Sequence, residues 1–167
     1  MSKGRVWKYG DSVNTDVIYA GKYTYQQLKP EEMAGHAFED LDPEFAKAVK
    51  PGDVVVAGRN FGCGSSREQA AACLRYAGVR AVVAKSFSRI YFRNAINLGL
   101  AVLQSEDAPD ALKSGDEVEV DFSAGSIRSG ERVFSFIPLP ESVMGIVRAG
   151  GLLEWTKAKL SEKKRKS

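Results

Sequence analysis

The chain has 167 residues, of which 44% are hydrophobic and 27% charged, and its formal net charge is +3. This is the composition of a globular protein with one core, and no apolar run is long enough to span a bilayer. Six basic residues lie within residues 157–167, so the rest of the chain carries 18 bases and 20 acids. The charge therefore gives no reason to expect nucleic acid or a membrane as a partner.

The same features predict how the chain is organised. We expect a single domain over residues 1–156 and a basic, frayed tail over residues 157–167. The N-terminus leads into a strand rather than into the hydrophobic segment of a signal peptide, which predicts a cytoplasmic protein.

Strands and helices alternate in the first half of the chain. β-Branched runs predict buried strands at residues 53–58, 79–84 and 101–103, and helix-forming residues predict helices at 66–76 and 88–97. Strict alternation of polar and apolar residues predicts a half-exposed strand at 116–122, followed by turns at 123–130 and a further strand at 132–136. A helix at 141–149 and a short helix from Leu152 complete the prediction. The fold class is α/β, with a β-α-β-α-β half followed by an antiparallel, β-rich half.

The most informative segment is the run Asn-Phe-Gly-Cys-Gly-Ser-Ser-Arg-Glu at residues 60–68, between a predicted strand and a predicted helix. Backbone N–H groups at a helix start, glycines that allow close approach and the Arg67 guanidinium together favour a bound carboxylate or phosphate. A simpler interpretation is that Ser65 or Ser66 caps the helix while Glu68 or Gln69 reaches back. The segment has neither dinucleotide-binding glycine spacing nor a phosphate-binding lysine motif, which argues against a nucleotide.

The two cysteines, Cys63 and Cys73, are too few for a disulfide framework and lack metal-ligand spacing, so this chain alone completes no metal site. Cys63 lies in the glycine-rich segment and could be a nucleophile, but it has no evident base. The only histidine, His36, lies in a predicted helical segment and is typical of a surface or packing residue.

Residues 60–68 resemble the signature of the small, swivelling domain of the aconitase superfamily. Residues 11–18 resemble the N-terminal segment of that family, and residues 84–100 resemble the segment that follows its serine motif. The order and spacing agree over nearly the whole chain. Among the superfamily, the chain most resembles the 3-isopropylmalate dehydratase small subunits of the archaeal-like type, with homoaconitase small subunits as the sibling group.

The resemblance implies a swivelling β/β/α domain with a mixed sheet, and a hydro-lyase that removes and re-adds water on a hydroxydicarboxylate in leucine biosynthesis. It implies Ser65 as the base, Ser66 as a carboxylate-binding donor, Arg67 as the substrate clamp and Gly64 as a backbone contact. It also implies a large subunit, in a heterodimer or heterotetramer, that holds a [4Fe–4S] cluster. The chain alone is then inactive.

The resemblance places a substrate-facing loop after residues 14–16, where this sequence has Tyr23, Thr24 and Tyr25. None of the three is charged, which favours an alkyl-substituted malate over citrate or homocitrate, although Lys22 could swing in. The tyrosines could equally pack one face of an irregular strand. Homoaconitate, citraconate and dimethylmalate remain alternative substrate types, and a non-catalytic anion-binding module is an alternative class.

Overall fold

A computed structural model describes residues 3–165 of the chain. It contains one seven-stranded mixed sheet with the strand order β4-β3-β2-β1-β5-β6-β7. The strands are β1 (Lys3–Lys8), β2 (Val54–Ala57), β3 (Ala81–Ala84), β4 (Ala101–Gln104), β5 (Glu117–Asp121), β6 (Ser126–Ser129) and β7 (Arg132–Ser135). The helices are α1 (Thr15–Ile18), α2 (Pro30–Gly35), α3 (Phe45–Ala48), α4 (Gln69–Tyr76), α5 (Arg89–Asn97), α6 (Ala108–Ala111), α7 (Glu141–Arg148) and α8 (Leu152–Arg165), with a 3-10 turn at Gly21–Tyr23.

Strands β1 to β4 are parallel and strands β5 to β7 form an antiparallel meander. All four residues of β2 and of β3 are buried, because both faces of a parallel sheet are covered. One face packs against α4 and α5 around Val55, Val82 and Val102. The α/β class and the predicted order of the two halves are confirmed.

The sheet curls so that its two ends meet. The Ile137 N–H, just after β7, donates to the carbonyl of Gln104 in β4 at 2.8 Å, and the Ser105 hydroxyl donates to the Ser135 carbonyl at 2.7 Å. The second face of the parallel strands is consequently covered by Ile127 of β6 and by Phe136, just after β7, rather than by a full layer of helices. This arrangement leaves the C-terminal edge of β1 and β2 free to carry loops.

Two predicted boundaries were wrong. Residues 126–129 form the strand β6 rather than a turn. This run is mostly polar, and Ile127 is its one fully buried apolar residue. It is extended because it pairs with both β5 and β7. Helix α4 starts at Gln69, three residues later than predicted, with Glu68 as its N-cap. The last helix has 14 residues and continues through residues 157–165, while the division of the chain into a domain and a tail at residue 156 remains a prediction. Residues 1, 2, 166 and 167, included in the predicted domain and tail, lie outside the described residues.

Within residues 3–165, none of the helices has the length and apolar character that crossing a membrane requires.

Candidate active site

The serine loop, residues 60–68, lies at the C-terminal edge of the parallel strands, beside the loop that follows β1. Backbone hydrogen bonds join the two loops: the Gly62 N–H donates to the Val13 carbonyl and the Thr15 N–H to the Cys63 carbonyl, both at 2.8 Å. Because β1 and β2 are parallel neighbours, their C-terminal ends meet at one edge of the sheet. This pairing brings Thr15 and Ser65 together, although 50 positions separate them in the sequence.

Helix α5 supports the other side of the serine loop. The Ser88 hydroxyl donates to the Gly62 carbonyl at 2.8 Å, and the Asn94 amide donates to the Ser66 carbonyl at 3.0 Å. Gly62 has a φ of +78°, and a Cβ at that position would lie 2.1 Å from the ring of the buried Tyr91. A side chain at Gly62 is therefore excluded both by the backbone conformation and by the packing of the loop on α5.

The hydroxyl oxygen of Ser65 lies among three possible donors. Its Oγ is 2.8 Å from the Thr15 Oγ1, 2.8 Å from the Arg67 Nε and 3.3 Å from the Arg67 backbone N. The Ser65 N–H donates to the Thr15 Oγ1 at 3.0 Å, so the Thr15 hydroxyl hydrogen is available for the Ser65 oxygen. Thr15 is 2% exposed, so the Thr15 side of this contact is buried, whereas Ser65 is partly exposed. The loop therefore surrounds one serine oxygen with hydrogen-bond donors.

Arg67 connects three parts of the site through its guanidinium. In addition to the Nε–H that reaches Ser65, its Nη1 donates to the Thr24 hydroxyl at 3.1 Å and its Nη2 donates to a carboxylate oxygen of Asp16. A guanidinium carries two hydrogens on each Nη atom, so these bonds leave one hydrogen on each for a ligand. The side chain is 17% exposed, and is thus held in place while still reachable from solvent.

The structure brings some of the predicted site residues together and places others apart. Ser65, Arg67 and Thr24 are linked by hydrogen bonds. Gly64 is exposed and has a φ of +101°, and Ser66 is exposed beside it.

The two tyrosines make no described contact with the serine loop. The Tyr23 hydroxyl donates to the Glu39 carboxylate at 2.8 and 2.9 Å, and its ring stacks on His36 with centroids 3.9 Å apart. Tyr25 is 98% exposed, so its ring packs on nothing within residues 3–165. The roles of all seven predicted site residues remain predictions.

Neither serine caps a helix. The N-cap of α4 is Glu68, which makes no side-chain capping bond, and the serines belong to the loop that precedes it. The capping interpretation is therefore wrong, and the two hydroxyls are not accounted for by helix geometry.

Thr15 and Asp16 were not among the site residues predicted from the sequence. Both belong to the short helix α1, which Asn14 caps by accepting the Val17 N–H at 3.0 Å. The signal that could have identified them is their position directly after the loop that follows β1, since loops after neighbouring parallel strands share one edge of the sheet.

The remaining candidates have other surroundings. Cys73 is buried in α4, and burial raises the pKa of its thiol well above the ordinary value. His36 is hydrogen bonded through Nδ1 to Glu39 at 2.6 Å. Among residues 3–165, no group of three or more His, Cys, Asp or Glu side chains could hold a metal ion.

Together, the curled mixed sheet and the exposed serine loop define a small α/β domain that presents a hydroxyl and an arginine to a ligand at its surface. A sequence profile of the family described as Aconitase C-terminal domain matches residues 9–108. The chain belongs to this family.

Relatives and a solved structure agree with that assignment. The chain is 52% identical over 158 residues to 3-isopropylmalate dehydratase small subunit 1 of Archaeoglobus fulgidus, covering 93% of this chain and 96% of that one. It is 48% identical over 153 residues to the homoaconitase small subunit of Thermus thermophilus, with coverages of 92% and 94%. The crystal structure of a 3-isopropylmalate dehydratase from Methanocaldococcus jannaschii superposes with a TM-score of 0.92 at 42% identity, covering 99% and 98% of the two chains. The resemblance and the swivelling α/β fold predicted from the sequence are confirmed.

Proposed function

We propose that this chain is the small subunit of a 3-isopropylmalate dehydratase, a hydro-lyase that interconverts 2-isopropylmalate and 3-isopropylmalate by removing and re-adding water. The proposal is supported by the Archaeoglobus relative and the Methanocaldococcus structure, which both carry this enzyme name at high coverage, and by the geometry around Ser65. In this function Ser65 removes the carbon-bound proton, while Ser66, Arg67 and the backbone at Gly64 bind a substrate carboxylate.

The observation that carries the proposal is the set of three donors around the Ser65 oxygen. A neutral hydroxyl oxygen has two acceptor lone pairs, whereas an alkoxide has three, so this arrangement suits the deprotonated form. Once Ser65 has lost its proton, only Thr15 can be the donor in the hydrogen bond between the two hydroxyls. Preorganised donors around a developing negative charge are the usual means of stabilising an oxyanion. Serine, a poor base in water, becomes a usable one here.

Arg67 contributes in two ways in this proposal. Its Nε–H and backbone N–H stabilise the Ser65 alkoxide, while the remaining hydrogens of Nη1 and Nη2 are available to a substrate carboxylate. Asp16 fixes the orientation of the guanidinium. The same side chain therefore sets the distance between the substrate and the base.

The other half of the reaction requires a group that binds the departing hydroxide. The described residues do not fit an iron–sulfur cluster, because Cys73 is fully buried and Cys63 is the only other cysteine. Family membership instead suggests that a large subunit holds the cluster, which supplies a Lewis acid for the substrate oxygens when bound. The exposure of Gly64, Ser66 and Tyr25 fits a surface that such a subunit covers.

The substrate assignment depends on the loop that contains Thr24 and Tyr25. Neither side chain carries a charge, and the Thr24 hydroxyl is already bonded to Arg67. An uncharged lining favours an isopropyl group over a third carboxylate. The named Thermus relative makes a homoaconitase small subunit the second candidate, and Lys22 is the feature of this chain that favours it.

The proposal is tested by reconstitution. The chain is mixed anaerobically with its cluster-loaded large subunit, and formation of the unsaturated intermediate from 2-isopropylmalate is followed by ultraviolet absorbance. Each subunit alone and Ser65→Ala should be inactive, while Ser123→Ala, a change of the same size at an exposed turn, should retain full activity. Turnover of only another hydroxydicarboxylate would reject the proposed substrate. Absence of activity on every such substrate, with a formed complex and an intact cluster, would favour a non-catalytic binding module.

A further inference from the structure

Lys22 belongs to a turn in which two other residues, Gly21 and Thr24, lie against the Arg67 guanidinium. A Cβ on Gly21 would lie 2.9 Å from the Arg67 Nη1, and the Thr24 hydroxyl accepts from the same Nη1 at 3.1 Å. These two positions are three residues apart in a 3-10 turn and thus lie on one face of it. Lys22 leaves the turn on another side, and its flexible four-carbon stem gives its ammonium a wide reach.

Glu39 holds that ammonium away from the serine loop. The Glu39 carboxylate accepts hydrogen bonds from the Lys22 Nζ at 2.5 Å and from the Tyr23 hydroxyl at 2.8 and 2.9 Å, and it is 2.6 Å from the His36 Nδ1. The Lys22 Nζ also lies 5.0 Å from the centre of the Tyr23 ring. Because the carboxylate and the ring both attract the ammonium, the charge of Lys22 is directed to this cluster.

The titration properties agree with this pairing. The hydrogen bond that Lys22 donates to Glu39 is the largest cause that raises the pKa of Lys22, and it is also the largest cause that lowers the pKa of Glu39 to about 2. Both groups are therefore charged over the whole physiological range.

We propose that Glu39 is a specificity-determining residue, because it binds the Lys22 ammonium and so keeps a positive charge away from the variable group of the substrate. The inference rests on the proposed function. Residues 21–27 contain Lys22 as their only charged residue, and Arg67 is engaged by Asp16 and Ser65. A substrate with a third carboxylate consequently finds no free cation on this loop, whereas an alkyl group requires none.

Glu39 binds both the Lys22 ammonium and the Tyr23 hydroxyl of the loop, and glutamine at position 39 separates these two roles. Its amide oxygen can still accept from the Tyr23 hydroxyl, so the loop keeps its attachment, but the carboxylate that binds Lys22 is lost. Surface ion pairs of this kind are weak, so we expect the ratio of kcat/KM for homocitrate to that for 2-isopropylmalate to rise about two- to fivefold in Glu39→Gln. The increase should disappear in the double variant Glu39→Gln with Lys22→Met, since the released charge is then absent.

The assay uses the complex reconstituted with the cluster-loaded large subunit. Glu44→Gln is the matched control, because Glu44 forms an exposed ion pair with Lys47 at 2.8 Å outside the substrate loop. The ratio of kcat/KM for homocitrate to that for 2-isopropylmalate should be the same in this variant as in the wild type. Nuclear magnetic resonance titration of Lys22 gives a readout besides activity, since its pKa should fall towards the ordinary value in Glu39→Gln.

Different results overturn different statements. Wild-type turnover of homocitrate without 2-isopropylmalate would reject the proposed substrate and this inference together, and silence on every hydroxy acid would do the same. With an active wild type, an unchanged ratio in Glu39→Gln would reject only the role of Glu39. An increase that persists in the double variant, or a Lys22 pKa that does not change, would also reject that role.

Discussion

Replacing Thr15 with valine tests whether the Ser65 oxygen is stabilised as an alkoxide. Valine keeps the shape of threonine but replaces the hydroxyl with a methyl group. The substitution removes the donor 2.8 Å from the Ser65 Oγ and the acceptor of the Ser65 N–H at 3.0 Å. It opens no cavity, so the effect on activity reports the lost hydrogen bonds.

The expected magnitude follows from the geometry. Loss of one preorganised donor to an oxyanion lowers kcat about 10²- to 10³-fold, or about 2.7 to 4 kcal/mol. The same free energy raises the pKa of the Ser65 hydroxyl by about two to three, which moves the pH–rate profile towards higher pH. The unfolding free energy should fall by only about 1 kcal/mol, because Ser65 is partly exposed and water can replace part of the lost bonding.

The assay compares kcat at several pH values for the reconstituted complex with the unfolding free energy of the small subunit. Ser105→Ala is the control, because Ser105 is 4% exposed and lies just after the edge strand β4, and its hydroxyl donates to the Ser135 carbonyl and accepts from the Ala108 N–H rather than from the serine loop. It should lose about 1 to 2 kcal/mol of stability while kcat stays within about twofold. Thr15→Ser restores the hydroxyl and should recover most of the activity.

The reasoning is refuted if Thr15→Val retains about a third or more of the wild-type kcat. It is also refuted if the decrease in kcat of Thr15→Val equals the decrease in the fraction of folded protein, or if Thr15→Ser fails to recover activity. In each case the Thr15 hydroxyl would be a structural group that does not stabilise the base.

Further predictions concern Arg67, Gly62 and Glu39. Arg67→Lys should lower kcat/KM about 100-fold in steady-state assays, since an ammonium cannot reproduce three separately directed N–H groups; a loss below tenfold would contradict this. Gly62→Ala should lower the unfolding free energy by about 3 to 5 kcal/mol in denaturant titrations, because its Cβ would collide with the Tyr91 ring. Gly115→Ala is the control, since Gly115 also has a positive φ but has open space around its Cβ position, and it should lose less. Equal losses in the two variants would contradict the packing argument. The pKa of Glu39 is lowered in the fold, so its contribution to stability is present above pH 4.5 and is lost as the pH falls towards 2. Urea unfolding of wild type and Glu39→Gln should therefore differ at pH 7 and converge near pH 2, and a constant difference would refute this.

The fold could be predicted where local sequence and tertiary packing agree. Strands β2 and β3 are β-branched runs buried on both faces, and Ser88 caps α5 by accepting the Tyr91 N–H at 3.2 Å, so each element carries its own signal. Strand β6 could not be predicted, because its residues are mostly polar and its strand conformation comes from two neighbouring strands. The start of α4 was placed too early because Ser66 and Arg67 have helix-compatible neighbours but are bonded to other parts of the chain.

The candidate site could be predicted only in part for a similar reason. The serine loop is local in sequence, and its glycines, serines and arginine are visible at once. The contact between Thr15 and Ser65 is not local, since it requires the parallel pairing of β1 with β2 and the hydrogen bond between Thr15 and Cys63. A hydroxyl that acts only through such a contact has no pattern of its own in a single sequence.

In the proposed function, the bonds of Arg67 couple substrate choice to base strength. One guanidinium donates to Ser65 through Nε and to Thr24 through Nη1, and the planar group cannot move one nitrogen without moving the other. A substitution at Thr24 that accommodates a different substrate group would then also change the hydrogen bond between Arg67 and Ser65, which we propose to stabilise the base. The Lys22 ammonium, which is bound by Glu39, is not part of this rigid unit, because it has no described contact with Ser65 or Arg67. A change of charge at position 22 can thus change the substrate preference without altering the base.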